Sequence, residues 1–136
     1  IGKLGVSNQI LDKAGKLTEE EWLAVRQHPA QSRTILSRIA AFRELARIAG
    51  DHHEKLDGKG YPRGISGNDI CLETRIITVA DIFDALTAER PYRAAMPVAQ
   101  AFEIMGKDIP SGLDGACFAA LGRAMARVDQ SLKIAG

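Results

Sequence analysis

The sequence predicts an all-α domain, a helical bundle packed around one central buried helix at about residues 73–88. Three observations predict it. No stretch alternates apolar and polar residues for long enough to make a convincing strand. Helix-start signals recur, in Thr18-Glu19-Glu20-Glu21 and at Pro29 and Pro97. The segment 73–88, ETRIITVADIFDALTA, is apolar nearly all round, as befits a helix buried on most sides. The 136 residues amount to one domain's worth of chain, so residues 1–136 read as a single unit with a real core.

The elements follow in order. Thr18 can cap a helix, and Glu21 can close a capping box with it, while Leu17 can staple onto Trp22. That helix is expected to run to about His28. Pro29 suits a first helical position, so a second helix is expected over residues 29–40, with Ile35, Leu36 and Ile39 inward. A third starts near Phe42 and carries Leu45, Ala46, Ile48 and Ala49 toward His52. Residues 57–72 read as a long glycine-rich loop, a length often tied to function. The central helix comes next. A fifth opens at Pro97 and ends near Gly106, and a last covers about residues 114–132.

Composition narrows the function. A net charge of +1 implies no broad basic face, which argues against a dedicated binder of nucleic acid polymers. A local Arg/Lys cluster could still meet a small anion. With aromatics at 5%, aliphatic side chains must fill the core. Cys71 and Cys117 are far apart and lack metal-type spacing. They read as free thiols of a reducing cytosol, a disulfide being the lesser option. No apolar run approaches membrane-spanning length and no signal peptide is visible, so a cytoplasmic location without membrane insertion is expected.

The chemistry concentrates in DHHEKLDGKGYPRG, residues 51–64, which holds two of the three histidines. His52 and His53 are adjacent, about 100° apart on a helix, so they cannot chelate one ion as i,i+4 histidines do. Near a helix end they can address different ions of one cluster. His28 stands at a helix junction before Pro29. Surface or internally satisfied histidines are the plain alternative. His and Asp ligands without Cys suit Fe, Mn, Zn or Ni. Asp81 and Asp84 share neighbouring faces of the apolar helix; a carboxylate buried there needs a partner or a metal, unless that face is solvated. Glu54 and Asp57 could orient imidazoles from behind or be surface charges. Arg90-Pro91-Tyr92-Arg93 offers two guanidinium groups that could fork onto phosphate oxygens.

These residues, in this order, resemble the HD-GYP family of the HD phosphohydrolase superfamily. His52-His53-Glu54 with Asp57-Gly58-Lys59-Gly60-Tyr61-Pro62 is similar to its HHExxDGxGYP signature. Ile1-Gly2-Lys3 resembles the end of its HDIGK segment. Leu17 to Glu21, His28-Pro29, Val79 to Thr87 and Arg90 to Arg93 resemble further blocks, so the likeness covers about residues 1–106. The resemblance implies an HD-type helical fold and a metal-dependent phosphodiesterase of cyclic di-GMP, yielding pGpG and possibly GMP. It implies two or three divalent ions, iron or manganese foremost. His28, His52, His53 and Asp81 would be metal ligands. Lys3, Arg90 and Arg93 would face substrate phosphates, Lys3 and Asp81 taking part in catalysis. Gly60, Tyr61 and Pro62 would form a lip beside a guanine-bearing ligand, and Asp84 would pair with Lys3.

Two departures stand out. The family's His-Asp dyad belongs just before Ile1, so a truncated piece is expected, with a weakened metal site or none, and with activity of this fragment alone in doubt. Ser32 replaces the Gly of the family's HPxxG block. Two other readings follow: a non-catalytic module that binds a diguanylate cyclase domain or an upstream regulatory domain, or a hydrolase of another nucleotide or phosphate ester.

Overall fold

The computed structural model describes residues 1–89 and 94–134, with side chains through residue 128. Arg90, Pro91, Tyr92 and Arg93 lie outside the described residues. Those described are helical or loop, with no strand among them. The helices are α1 (Asn8–Leu11), α2 (Glu19–Arg26), α3 (His28–Leu36), α4 (Arg43–Asp51), α5 (Leu72–Thr87), α6 (Val98–Gly106) and α7 (Gly115–Ile134). A 3-10 turn, Gly2–Gly5, precedes them.

The expected capping box starts α2. Thr18 Oγ1 accepts from the Glu21 amide and Glu21 accepts from the Thr18 amide, satisfying two donors that an N-terminus leaves unpaired. Lys13 also grips the Glu21 carboxylate at 2.6 Å. At the far end, Asp114 starts α7 by accepting from the amides of Ala116 and Cys117. The same carboxylate takes Arg75 Nη1 at 3.1 Å, tying α5 to α7.

Helix α5 is central, since it packs against α4, α6 and α7. Val79, Met105, Leu113 and Cys117 form the buried centre, flanked by Ile82, Phe83, Leu86 and Phe118. The burial is one-sided, however. Ile76 and Ile77 remain exposed, and Thr74, Thr78 and Val79 are the buried residues of α5. A helix apolar all round therefore keeps one apolar face uncovered among the described residues.

Helix α3 departs from expectation in length and facing. It ends at Leu36, where Ser37 Oγ donates to the Thr34 carbonyl and Ile39 takes extended backbone, so residues 40–42 form a separate 3-10 turn. Ile35 and Ile39 are exposed rather than inward, and Leu36 is half-buried. The buried face is instead His28, Pro29 and Ser32. The Gly2–Gly5 turn lies against that face, so a small side chain is needed at residue 32. A Cβ on Gly2 would collide with the His28 carbonyl. Ser32, the departure from the family's Gly, is accommodated: its hydroxyl accepts from the Gly2 amide at 2.9 Å. Leu45 of α4 is also exposed, while Ala46 is buried. Cys71 and Cys117 are free thiols.

Candidate metal centre

The site forms where the start of α3, the end of α4 and the middle of α5 meet. His28 opens α3, and His52 and His53 follow the last residue of α4. Thr78 of α5 fixes that corner, since its hydroxyl lies 2.8 Å from the His52 carbonyl and 2.9 Å from the Thr74 carbonyl. The three imidazoles come together, with one nitrogen from each ring all within 4.8 Å of one another.

Backbone carbonyls set the ring orientations. His28 Nδ1 donates to the Val25 carbonyl at 2.7 Å, and His52 Nδ1 donates to the Ala49 carbonyl at 2.9 Å. Each acceptor lies three residues back on the preceding helix. With both Nδ1 atoms protonated, both Nε2 atoms present lone pairs, and these face each other at 3.4 Å. Two opposed lone pairs repel unless a proton or a cation lies between them, so the pair fits a metal ion. Backbone support of the other ring nitrogen is also the usual way a metal-binding histidine is held.

Electrostatics favours the neutral, ligating form. Burial pushes the His28 imidazole below its usual value, against the pull of the Val25 carbonyl, and His52 and Lys3 push the same way. Burial lowers His53 further, to about 3, with His52, His28 and Lys3 adding to it. Both shifts favour neutral His28 and His53, and neutral imidazole is the form that binds metals.

The remaining expected residues divide. Asp81 Oδ2 stands 3.8 Å from His53 Nδ1, beside the triad but beyond hydrogen-bond distance. Lys3 joins His28, His52 and Ser32 in lining a cleft of about 480 Å³ whose other walls include Leu36, Phe42, Leu45 and Ile77. Asp84 is exposed, and among the described residues no ion pair joins it to Lys3; it lies nearly a turn beyond Asp81, facing solvent. Among the described residues neither Glu54 nor Asp57 hydrogen-bonds an imidazole, and backbone carbonyls hold His28 and His52. Asp57 accepts from the Lys59 amide within its own turn. Glu54 is 1% exposed and accepts from the Arg63 amide at 2.6 Å.

That bond anchors the loop after the histidines. Tyr61 donates its amide to the His53 carbonyl and stacks its ring on the His53 ring at 4.8 Å. Buried Asp51 holds Arg63 and Arg33, each at 3.3 Å. Gly60 must be glycine, since a Cβ there would run into Glu54 Cα, the Lys55 amide and the His53 carbonyl. Gly58 adopts φ +75°, the left-handed region open to glycine. Gly60 and Tyr61 thus sit against the histidine corner.

Sequence reasoning missed Val25 and Ala49, because a carbonyl acceptor has no side-chain signature. It also missed Arg26, whose guanidinium lies over the Tyr61 ring at 5.2 Å. The capping-box pattern that starts α2 could have placed Arg26 one turn beyond Trp22, but not against Tyr61.

An all-helical fold with three clustered histidines is an arrangement that could hold a metal ion. The HD domain model matches residues 1–117, and the chain belongs to the HD domain family. The motif resemblance read from the sequence therefore stands. The chain is 62% identical to 3'3'-cGAMP-specific phosphodiesterase 3 of Vibrio cholerae serotype O1, over 92% of this chain and 27% of that protein. It is 39% identical to the cyclic di-GMP phosphodiesterase response regulator RpfG of Xanthomonas campestris pv. campestris, over 96% of this chain and 35% of that protein. It is 53% identical to a crystal structure of a cyclic GMP-AMP specific phosphodiesterase of V. cholerae, V-cGAP3, over 93% of this chain and 28% of that one, with a TM-score of 0.48. The chain thus spans about a third or less of the proteins it matches. No described helix is long and apolar enough to cross a membrane.

Proposed function

We propose that residues 1–136 are one domain of a metal-dependent phosphodiesterase that opens a 3',3'-cyclic dinucleotide to its linear form. The observation that carries this reading is the opposed pair of Nε2 lone pairs on His28 and His52, fixed by their carbonyl-bound Nδ1 atoms. His28, His52 and His53 would hold the ions, with Asp81 beside them. Divalent ions bound there would polarise the phosphodiester and supply a nucleophile from water at neutral pH. Lys3, which lines the cleft, would offset charge on the phosphoryl oxygens. Tyr61, stacked on His53, would close one side of the site against solvent.

Relatives named for 3'3'-cGAMP and for cyclic di-GMP both support a cyclic dinucleotide substrate. Both of these ligands carry guanine, and cyclic di-GMP is our first choice, with 3'3'-cGAMP the second because the 62% identical relative bears that name. Iron or manganese suits the histidine and carboxylate set.

The test is release of linear dinucleotide from each substrate by protein supplied with Mn²⁺ or Fe²⁺, compared with His53→Ala and His28→Ala. Loss of at least 100-fold in both variants is expected. Equal rates in wild type and variants would remove the imidazoles from the chemistry.

A further inference from the structure

We propose that Arg26 and Trp22 form a platform that receives a guanine base of the substrate. This rests on the cyclic dinucleotide reading above and sharpens its specificity. Arg26, the last residue of α2, places its guanidinium 5.2 Å from the Tyr61 ring centre and 6.0 Å from that of Trp22. Both distances lie within the range of cation–π attraction. The Tyr61 ring in turn stacks on His53 at 4.8 Å. A continuous row of planar groups therefore runs from the histidine cluster to the surface.

Two features suggest a ligand. Among the described residues the Arg26 side chain makes no hydrogen bond or ion pair, and its contacts are with the two rings. The rings orient the group, and its five N–H donors remain free. Trp22 is 47% exposed, which leaves indole surface beside those donors for a base to stack on. A phosphate held at the histidines carries its base through a ribose, so a base rather than the reacting phosphate reaches this row.

The donor pattern selects the base. Guanine presents two adjacent acceptors, O6 and N7, which a guanidinium fork meets with two parallel hydrogen bonds. Adenine presents N7 beside an N6 donor, which faces another donor on Arg26. Guanine-containing dinucleotides are therefore favoured over cyclic di-AMP.

Trp22 is the one tryptophan of the chain, so its fluorescence reports on the platform directly. The experiment titrates cyclic di-GMP, cyclic di-AMP and pyrophosphate into protein held in EDTA, where no turnover occurs. Saturable quenching by cyclic di-GMP is expected, with cyclic di-AMP binding roughly tenfold more weakly or worse, and no quenching by pyrophosphate. Arg26→Ala and Arg26→Lys should both abolish the preference, since an ammonium cannot form the fork. Equal quenching by both dinucleotides, quenching by pyrophosphate, or a preference retained in Arg26→Ala would overturn the proposal. A parallel turnover assay separates the two readings. Selective quenching without turnover supports the platform and defeats the phosphodiesterase. Turnover without selective quenching defeats the platform alone.

Discussion

Replacing Asp51 by Asn tests how the loop carrying Tyr61 is held. The Asp51 carboxylate is 3% exposed and meets Arg33 and Arg63, each at 3.3 Å. A hydrogen bond to a charged partner contributes about 1.5–3 kcal/mol when well formed. Here the distances are long, and the two arginine side chains are 40% and 47% exposed. Water can therefore replace much of what each arginine loses, and solvent screening brings the expected cost down to about 1–2 kcal/mol for Asp51→Asn. Urea unfolding at neutral pH should show a lower midpoint with an unchanged slope. Arg63→Ala alone should cost less, about 0.5–1 kcal/mol. The double variant should fall short of additivity by about 0.5 kcal/mol, because both changes remove one contact. Hydrogen exchange at the Arg63 amide, which donates to Glu54, should accelerate as the loop loosens. Strict additivity, or an Asn variant as stable as wild type, would refute the anchoring argument.

Three further outcomes are expected. The Cys117 amide foremost, then Arg75, holds the Asp114 carboxyl below its ordinary value. A depressed carboxylate stabilises the fold above its unfolded pKa and loses that contribution as pH falls through the folded one. Asp114→Asn should therefore cost about 1 kcal/mol at pH 7, and the gap to wild type should close in urea titrations as pH falls through the lowered pKa of the folded state. Gly60→Ala should destabilise by about 2 kcal/mol or more in thermal melts, because its Cβ meets backbone rather than a yielding side chain. Thr18→Ala removes half of the capping box and should cost about 1 kcal/mol, without altering metal content.

Features encoded locally were the ones legible in the sequence. The capping box needs only Thr18 and Glu21, and the start of α7 needs only Asp114 and the amides that follow it. The adjacent histidines marked the site because metal chemistry demands particular side chains. What was illegible depends on which surface meets which. Periodicity marks Ile35 and Ile39 as one apolar side, but His28, Pro29 and Ser32 are the ones buried, beneath the close approach of Gly2 to the His28 carbonyl and to Ser32. The apolar run of α5 correctly announced a central helix, yet nothing in it distinguishes Val79, which is buried, from Ile77, which is exposed. Glu54 and Asp57 looked like supports for imidazoles because they are near in sequence. Carbonyls of Val25 and Ala49 do that work for His28 and His52, and any residue could have supplied them. Arg26 reaches Tyr61 across the fold, a contact that no local pattern records.

Metal content tests the central claim most directly. Elemental analysis of the purified protein, after dialysis against Mn²⁺ or Fe²⁺ and removal of free ions, should find at least one tightly held ion per chain. His28→Ala and His53→Ala should each lose it while keeping the helical circular dichroism of the wild type. Equal metal in wild type and variants, or none in any of them, would contradict the assignment of His28, His52 and His53 as the residues that hold it.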